Sequence, residues 1–211
     1  MTVDHMTPEN LREYDIDYLY HMTHINNLAS IIRFGLLSHN AAHRLNVIQS
    51  DISDPDVQSI RASLKDKIYN RSLHEYVPLY FSPRNPMLYR RKEMQEDIVI
   101  LGIDPNLLFE SKIVISDGNA AAGDTAFYGS TDSLHKLKWE IVRAKFWNNL
   151  EDGKRVKCAE VLVPNSITAD KILRVFCYSS KHRETIIVAK QGTPIKGLIK
   201  PEMYFNPDLY F

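Results

Sequence analysis

The stretch VKCAEVLVP, residues 156–164, decides the fold, because it reads as a buried β-strand with one carboxylate inside it. Side chains of a strand alternate between faces, so Val156, Cys158, Glu160 and Leu162 are expected on one side and Lys157, Ala159, Val161 and Val163 on the other. Glu160 therefore falls on an apolar face. An unpaired charge there costs several kcal/mol, comparable with the net stability of a domain. Two explanations stay open. Glu160 pairs with a cation across the sheet or sits at a wet strand end, or it opens onto a cleft where other polar groups converge.

Outward from this strand, further strands are expected at residues 17–24, 75–82, 97–103, 112–116 and 172–178, with a last one within the final twenty residues. The run DIVILGI at 97–103 is nearly all apolar and suits a central strand. In EYVPLYFS, Val77, Leu79 and Phe81 alternate with Tyr76, Pro78, Tyr80 and Ser82, and Pro78, lacking an N–H, argues for an edge or a bulge. NNLASIIRFGLL predicts a helix capped by an Asn and ended by Gly35. Residues 38–75 are polar, with a helix whose stripe is Val57, Ile60, Leu64 and Ile68, capped by Asp56, and with Arg61 beside the stripe. Residues 132–149 carry the strongest helical pattern, and Ser179 and Ser180 can cap a short helix through Ile187. The order of elements predicts one α+β domain over residues 1–211 with a mixed sheet.

The balance of 26 basic and 26 acidic residues excludes a global field for nucleic acid or membrane, so a nucleic-acid site must be a local patch. The two cysteines, Cys158 and Cys177, lie in apolar runs and read as core residues of a reducing compartment. No CxxC or His/Cys spacing suggests a metal. No apolar run approaches the ~20 residues of a membrane span, and the first residues are too polar for a secretory signal, so a cytoplasmic protein with no membrane partner is expected.

Three places could bring polar groups to Glu160: His21 to His24 at the end of the first strand, the face of Tyr76, Tyr80 and Ser82, and Arg61. Singly, each has an ordinary reading as a hydrogen-bonded histidine, an amphipathic edge or a solvated helix face. Together they suit cleavage of the bond between nicotinamide and ribose, which passes through a ribosyl cation. Tyr80 would wall the nicotinamide, His21 and Thr23 would bond ribose hydroxyls, Arg61 would meet the pyrophosphate, and Glu160 would lie near the ribose. There is no glycine-rich phosphate loop.

The segments YHMTHINNLASIIRFGLL (residues 20–37), LHEYVPLYFSPRNPMLY (73–89), ISDGNAA (115–121) and KCAEVLVP (157–164) resemble the DarT toxins, NAD-dependent ADP-ribosyltransferases that modify single-stranded DNA. The resemblance implies an ADP-ribosyltransferase fold, with a split mixed sheet and flanking helices forming a cleft for NAD, and no metal. By it, Glu160 and Arg61 are catalytic, His21 and Tyr80 complete a His–Tyr–Glu set, and Thr23 holds the adenosine-side ribose or the pyrophosphate. The excursion at 38–75 covers the cofactor. Arg84, Met87 and Tyr89 lie toward the DNA, beside the basic run Arg90, Arg91 and Lys92. Asn119 stands where a thymine-modifying member is expected to have His, which tilts the acceptor toward guanine. A macrodomain antitoxin is the implied partner. Two rivals remain, an RNA-directed transferase of the same fold and a non-catalytic nucleic-acid-binding module.

Overall fold

The computed structural model describes residues 7–205. Its strands are β1 (Leu19–His24), β2 (Leu36–Leu37), β3 (Tyr76–Tyr80), β4 (Ile98–Ile103), β5 (Val114–Ser116), β6 (Phe127–Tyr128), β7 (Glu160–Pro164), β8 (Ser166–Ile167), β9 (Ile172–Cys177) and β10 (Lys196–Ile199). Eight of them form one sheet in the order β10-β9-β4-β1-β3-β7-β5-β6, and β2 pairs with β8. β10 runs parallel to β9 while β4 and β9 are antiparallel, so the sheet is mixed. β4 is buried at every position, as its apolar run requires. Alternation then builds two layers of core. Val77, Leu79, Val99, Leu101, Val161 and Val163 pack with Leu28 and Ile31 on one side, and Ile98, Ile100, Phe176 and Tyr204 cluster on the other.

The sheet is split between β1 and β3. These strands share one residue pair, Tyr20 with Tyr80, whereas β1 matches β4 from Leu19 to His24 and β3 matches β7 from Tyr76 to Tyr80. Pro78 is thus neither on an edge strand nor in a bulge, contrary to expectation, because it pairs in register with Leu162. Its carbonyl faces β1, where His21 Nδ1 lies 3.0 Å away. In an extended strand a residue's N and C=O share one edge, so the missing N–H falls on the split, where no ladder bond is lost.

The helices are short: α1 (Leu28–Phe34), α2 (His39–Arg44), α3 (Pro55–Ser63), α4 (Pro86–Arg90), α5 (Trp139–Val142), α6 (Gly153–Val156) and α7 (Arg183–Ala189). α1 ends as expected at Gly35, whose φ of 82° suits glycine, and a Cβ there would stand 2.5 Å from the Ile167 carbonyl oxygen. Four readings need correction. Residues 156–159 are not strand: α6 covers Val156, and β7 begins at Glu160 itself. Residues 132–149 form a 3₁₀ segment and one turn of α-helix instead of a long helix. Side-chain donors hold two carbonyls of that segment: Trp139 Nε1, within it, donates to Leu134 O at 2.8 Å, and Lys157 Nζ, from outside it, donates to Val142 O at 2.6 Å.

The third correction concerns α3, which is capped by Asp54, not Asp56. Asp54 Oδ1 accepts from Asp56 N and Val57 N, with Pro55 opening the helix. Of the apolar stripe only Leu64 packs against a core cluster, that of Leu73, Tyr76 and Leu162. Ile60 and Ile68 are exposed while Arg61 is buried. The helix stops at Ser63 because the next turn wraps the buried Asp66, which accepts from the N–H groups of Ile68, Tyr69 and Arg71 and from the Tyr76 hydroxyl. Fourth, neither Ser179 nor Ser180 caps α7, whose N-cap is His182. Among the described residues no helix is long and apolar enough to cross a membrane.

Candidate active site

A cleft of about 380 Å³ opens where β1 and β3 part, inside the ~300–1,000 Å³ range of small-molecule sites. His21 and Thr23 reach it from β1, Tyr80 from β3, Arg61 from α3, Met87 from α4 and Asn119 from the loop after β5. Glu160 lies just beneath. It is 1% exposed and directly opposite Tyr80 on β3 and Ser116 on β5.

The Glu160 carboxylate is held from two directions. Arg61 Nη1 stands 3.3 Å from Oε1 and 3.2 Å from Oε2, and Ala120 N donates to Oε1 at 2.9 Å. Behind it, Ser116 Oγ accepts from the Glu160 backbone N–H and donates to the Gly118 carbonyl. Both alternatives open at sequence level are therefore realised: Glu160 has a buried cationic partner, and that pair borders a cleft. Arg61 Nη2 is buried without a hydrogen-bond partner, an unusual state for a guanidinium and one that suits an anion entering the cleft.

Burial keeps His21 below its ordinary 6.5, although its bond to Pro78 O pulls the other way. A carbonyl only accepts, so the neutral ring carries its proton on Nδ1 and leaves Nε2 as an acceptor. Burial first, and then the nearby Glu160 charge, push the Tyr80 phenol well above its usual value of 10, so it remains a hydroxyl. Thr23 Oγ1 accepts from Asn27 Nδ2 at 3.0 Å. Asn27 also donates to Ser50 O and takes the N–H groups of Gln49 and Ser50, fastening the excursion to the mouth of the cleft. This is why Asn27 does not cap α1 through its side chain.

A family model described as "ssDNA thymidine ADP-ribosyltransferase, DarT" matches residues 20–205. A DNA ADP-ribosyl transferase–DNA ADP-ribosyl glycohydrolase fusion protein from Thermosipho africanus is 31% identical over 90% of this chain, which spans 50% of that fusion's length. The chain belongs to the DarT family of DNA ADP-ribosyltransferases. The structure of Thermus sp. 2.9 DarT in complex with ADP-ribosylated ssDNA superposes with a TM-score of 0.83 at 27% identity, covering 90% of this chain and 97% of that one. The same Thermus protein in complex with NAD+ gives 0.76 at 28% identity, over 90% and 98% of the two chains. The expected ADP-ribosyltransferase fold is thus the observed one.

Within this DarT fold, Arg84 and Tyr89 do not join the cleft. They line a neighbouring groove beyond α4. Of the expected basic patch, Arg90 pairs with Asp54 at 2.6 Å, and Arg91 donates to the carbonyls of Ile52 and Ser53, so both fasten the excursion. Several contributors were missed from sequence. The Asn26-Asn27 pair offers only a cap reading from sequence, and the Ala120 N–H carries no side-chain signal. Arg155 holds the loop of Asn119 and Ala120 by bonding Asp117, Thr125 and Asp152. A signal for it existed in Gly118, where a Cβ would come within 2.5 Å of Arg155 Nη1. His39 and His74 stack face to face at 3.9 Å on the cleft wall. Among the described residues no group of three or more His, Cys, Asp or Glu side chains is placed to hold a metal.

Proposed function

We propose that this protein cleaves NAD and transfers its ADP-ribose to a base of single-stranded DNA. One observation carries the reading: a buried glutamate, reached from the cleft by an arginine whose second amino group has no partner. The cleft suits NAD. Tyr80 offers a neutral aromatic wall for nicotinamide, and His21 Nε2 and the Thr23 hydroxyl suit ribose hydroxyls. Arg61 Nη2 suits the pyrophosphate while Nη1 keeps Glu160 in place. The excursion at 38–75 covers the substrate, and the whole chain acts as one transferase domain.

In the reaction the bond from C1′ of the ribose to the nicotinamide nitrogen breaks and its electron pair leaves with nicotinamide. A ring or exocyclic nitrogen of the base attacks the opposite face of C1′, and Glu160 takes the proton that this nitrogen gives up. Positioned proton acceptors of this kind contribute ~10²- to 10⁴-fold. A single strand presents the base without the unpairing cost of a duplex.

The acceptor base rests on Asn119. Its Oδ1 is held by Ala121 N at 3.0 Å, which orients its amide NH₂ as the donor at the cleft. We place guanine first, on the substitution of Asn for the expected His. Thymine is the second reading, favoured by the description of the family model. The proposal extends to a toxin whose modification is reversed by a macrodomain partner, supported by the joining of transferase and glycohydrolase in the Thermosipho relative. Mass spectrometry of matched single-stranded DNA and RNA oligonucleotides after incubation with NAD tests the whole reading. The expected result is a gain of one ADP-ribose on DNA alone, at guanine. A gain on thymine replaces only the base assignment, a gain on RNA favours the RNA-directed rival, and strand binding without NAD consumption favours a non-catalytic module.

A further inference from the structure

We propose that Arg155 is a positioning residue for the transfer step: it clamps the loop at residues 117–126, and through that loop it sets both the Glu160 carboxylate and the choice of acceptor base. This deepens the single-stranded DNA reading above and rests on it. Arg155 does not itself line the cleft but lies behind it on α6, a short way before Glu160 in the chain. Its Nη1 donates to Asp117 Oδ1 at 2.7 Å and to Thr125 Oγ1 at 3.2 Å, one near each end of the loop, while its Nε donates to Asp152 Oδ2 at 2.7 Å. The backbone takes part too, since the Arg155 carbonyl accepts from Asn119 N at 3.0 Å. One residue thus holds the loop at both ends and at Asn119 between them. The fit is close: a Cβ on Gly118 would stand 2.5 Å from Arg155 Nη1 and 2.9 Å from its Cγ.

The bonds that close the loop share their oxygens with this clamp. Asp117 Oδ1 also accepts from Ala126 N at 3.0 Å, and Thr125 Oγ1 also donates to the Asn119 carbonyl at 2.7 Å. Toward the excursion the loop has one longer bond, from Lys67 Nζ to Thr125 O at 3.4 Å, so α6 is its firmer support. Two groups of the loop face the chemistry. Ala120 N donates to Glu160 Oε1 at 2.9 Å, and the Asn119 amide, oriented by Ala121 N, lines the cleft. A loop released from Arg155 would loosen both at once, and misplacement of a reacting group by about 1 Å costs ~10²-fold in rate. The groups that suit NAD, His21, Thr23, Tyr80 and Arg61, stand on β1, β3 and α3. Loss of the clamp should therefore act on turnover and on base choice, and spare the affinity for NAD.

The test uses the full chain, NAD, and two single-stranded oligonucleotides that differ only in carrying one guanine or one thymine as acceptor, with transfer followed by mass spectrometry. Arg155→Ala should lower kcat ~10- to 100-fold with KM for NAD within about twofold of the wild type, and should narrow the ratio of kcat/KM between the two bases severalfold. In an Asn119→Ala background, Arg155→Ala should leave that ratio where it is and still lower kcat, because only the Ala120 branch remains. Asp117→Asn keeps an acceptor for Ala126 N but removes the charge that faces Arg155, and should show the same pattern in weaker form. If Arg155→Ala does not fold, Asp117→Asn decides alone. Unchanged kcat and base ratio in the folded variants, or a loss confined to KM for NAD, would make Arg155 a structural ion-pair member and nothing more, even though transfer to DNA stands. If the wild type modifies neither oligonucleotide, the functional reading falls and takes this inference with it.

Discussion

The two halves of the candidate site are built in different ways. Glu160 is set by the sheet: it begins β7, faces Tyr80 and Ser116 in register, and accepts a backbone N–H from Ala120. Arg61 comes from the excursion between β2 and β3, which is fastened by side-chain bonds from Asn27 and Arg91 to backbone groups between Gln49 and Ser53. On the proposed reading, the reacting group is placed by strand register, and the group at the substrate's entry is placed by bonds that can open singly. The Arg61–Glu160 pair is where the two constructions meet.

The sharpest way to break this comparison is Glu160→Gln. The amide keeps an acceptor for Ala120 N and for Arg61 but removes the counter-charge of the buried guanidinium, so the protein should fold with reduced stability while kcat for ADP-ribose transfer falls ~10²- to 10⁴-fold, read by mass spectrometry of modified DNA. A folded variant with near-normal turnover would remove Glu160 from the chemistry. Arg61→Ala comes next. The variant leaves a buried carboxylate without its cation, so the fold itself should weaken. Losses of about 3–5 kcal/mol are typical for such breaks, and chemical denaturation should show the stability of Arg61→Ala partly restored by adding Glu160→Gln. Additive effects would mean that the pair is not coupled.

Asn27→Ala sharpens the excursion side. It removes the bonds to Gln49, Ser50 and Thr23, with an expected loss of about 1–3 kcal/mol and a severalfold rise in KM for NAD at little change in kcat. An unchanged KM would show that this anchor does not shape the cleft. A last effect is that of pH on His74. Burial, then the neighbouring His39 and Arg61, lowers its pKa from 6.5 to about 4. The unfolded chain therefore binds a proton there before the folded one does. The contribution of His74 is complete above about pH 6.5 and is lost as pH falls toward 4. Urea unfolding of His74→Gln should show a shallower decline across that window than the wild type, and equal declines would discharge the histidine from this role.

Most strands were legible because alternation and the all-apolar run at 98–103 answer to burial, which is a local property of sequence. Glu160 stood out for the same reason, even though the strand begins at it and Val156 lies in a helical turn. The helical segments were less legible. In α3 the buried residue is the charged one, since its partner Glu160 lies 99 positions away, and no periodicity within the helix can announce that. The 132–149 pattern failed for a related reason, as Lys157, outside the segment, takes the Val142 carbonyl. Asn27 and Ala120 act through backbone groups, and Arg155 through the side chains of Asp117 and Thr125 some 30 or more positions away, pairings that sequence does not display.

Pro78 has a consequence for how this sheet can be assembled. Two neighbouring strands with complementary edges would close along their whole length, and such a sheet would be stable and inert. A pyrrolidine ring on the edge facing His21 deletes one of the rungs such closure would use. Part of the split between β1 and β3 is therefore written into covalent structure, and Pro78→Val would restore one donor with which the two strands could close on each other.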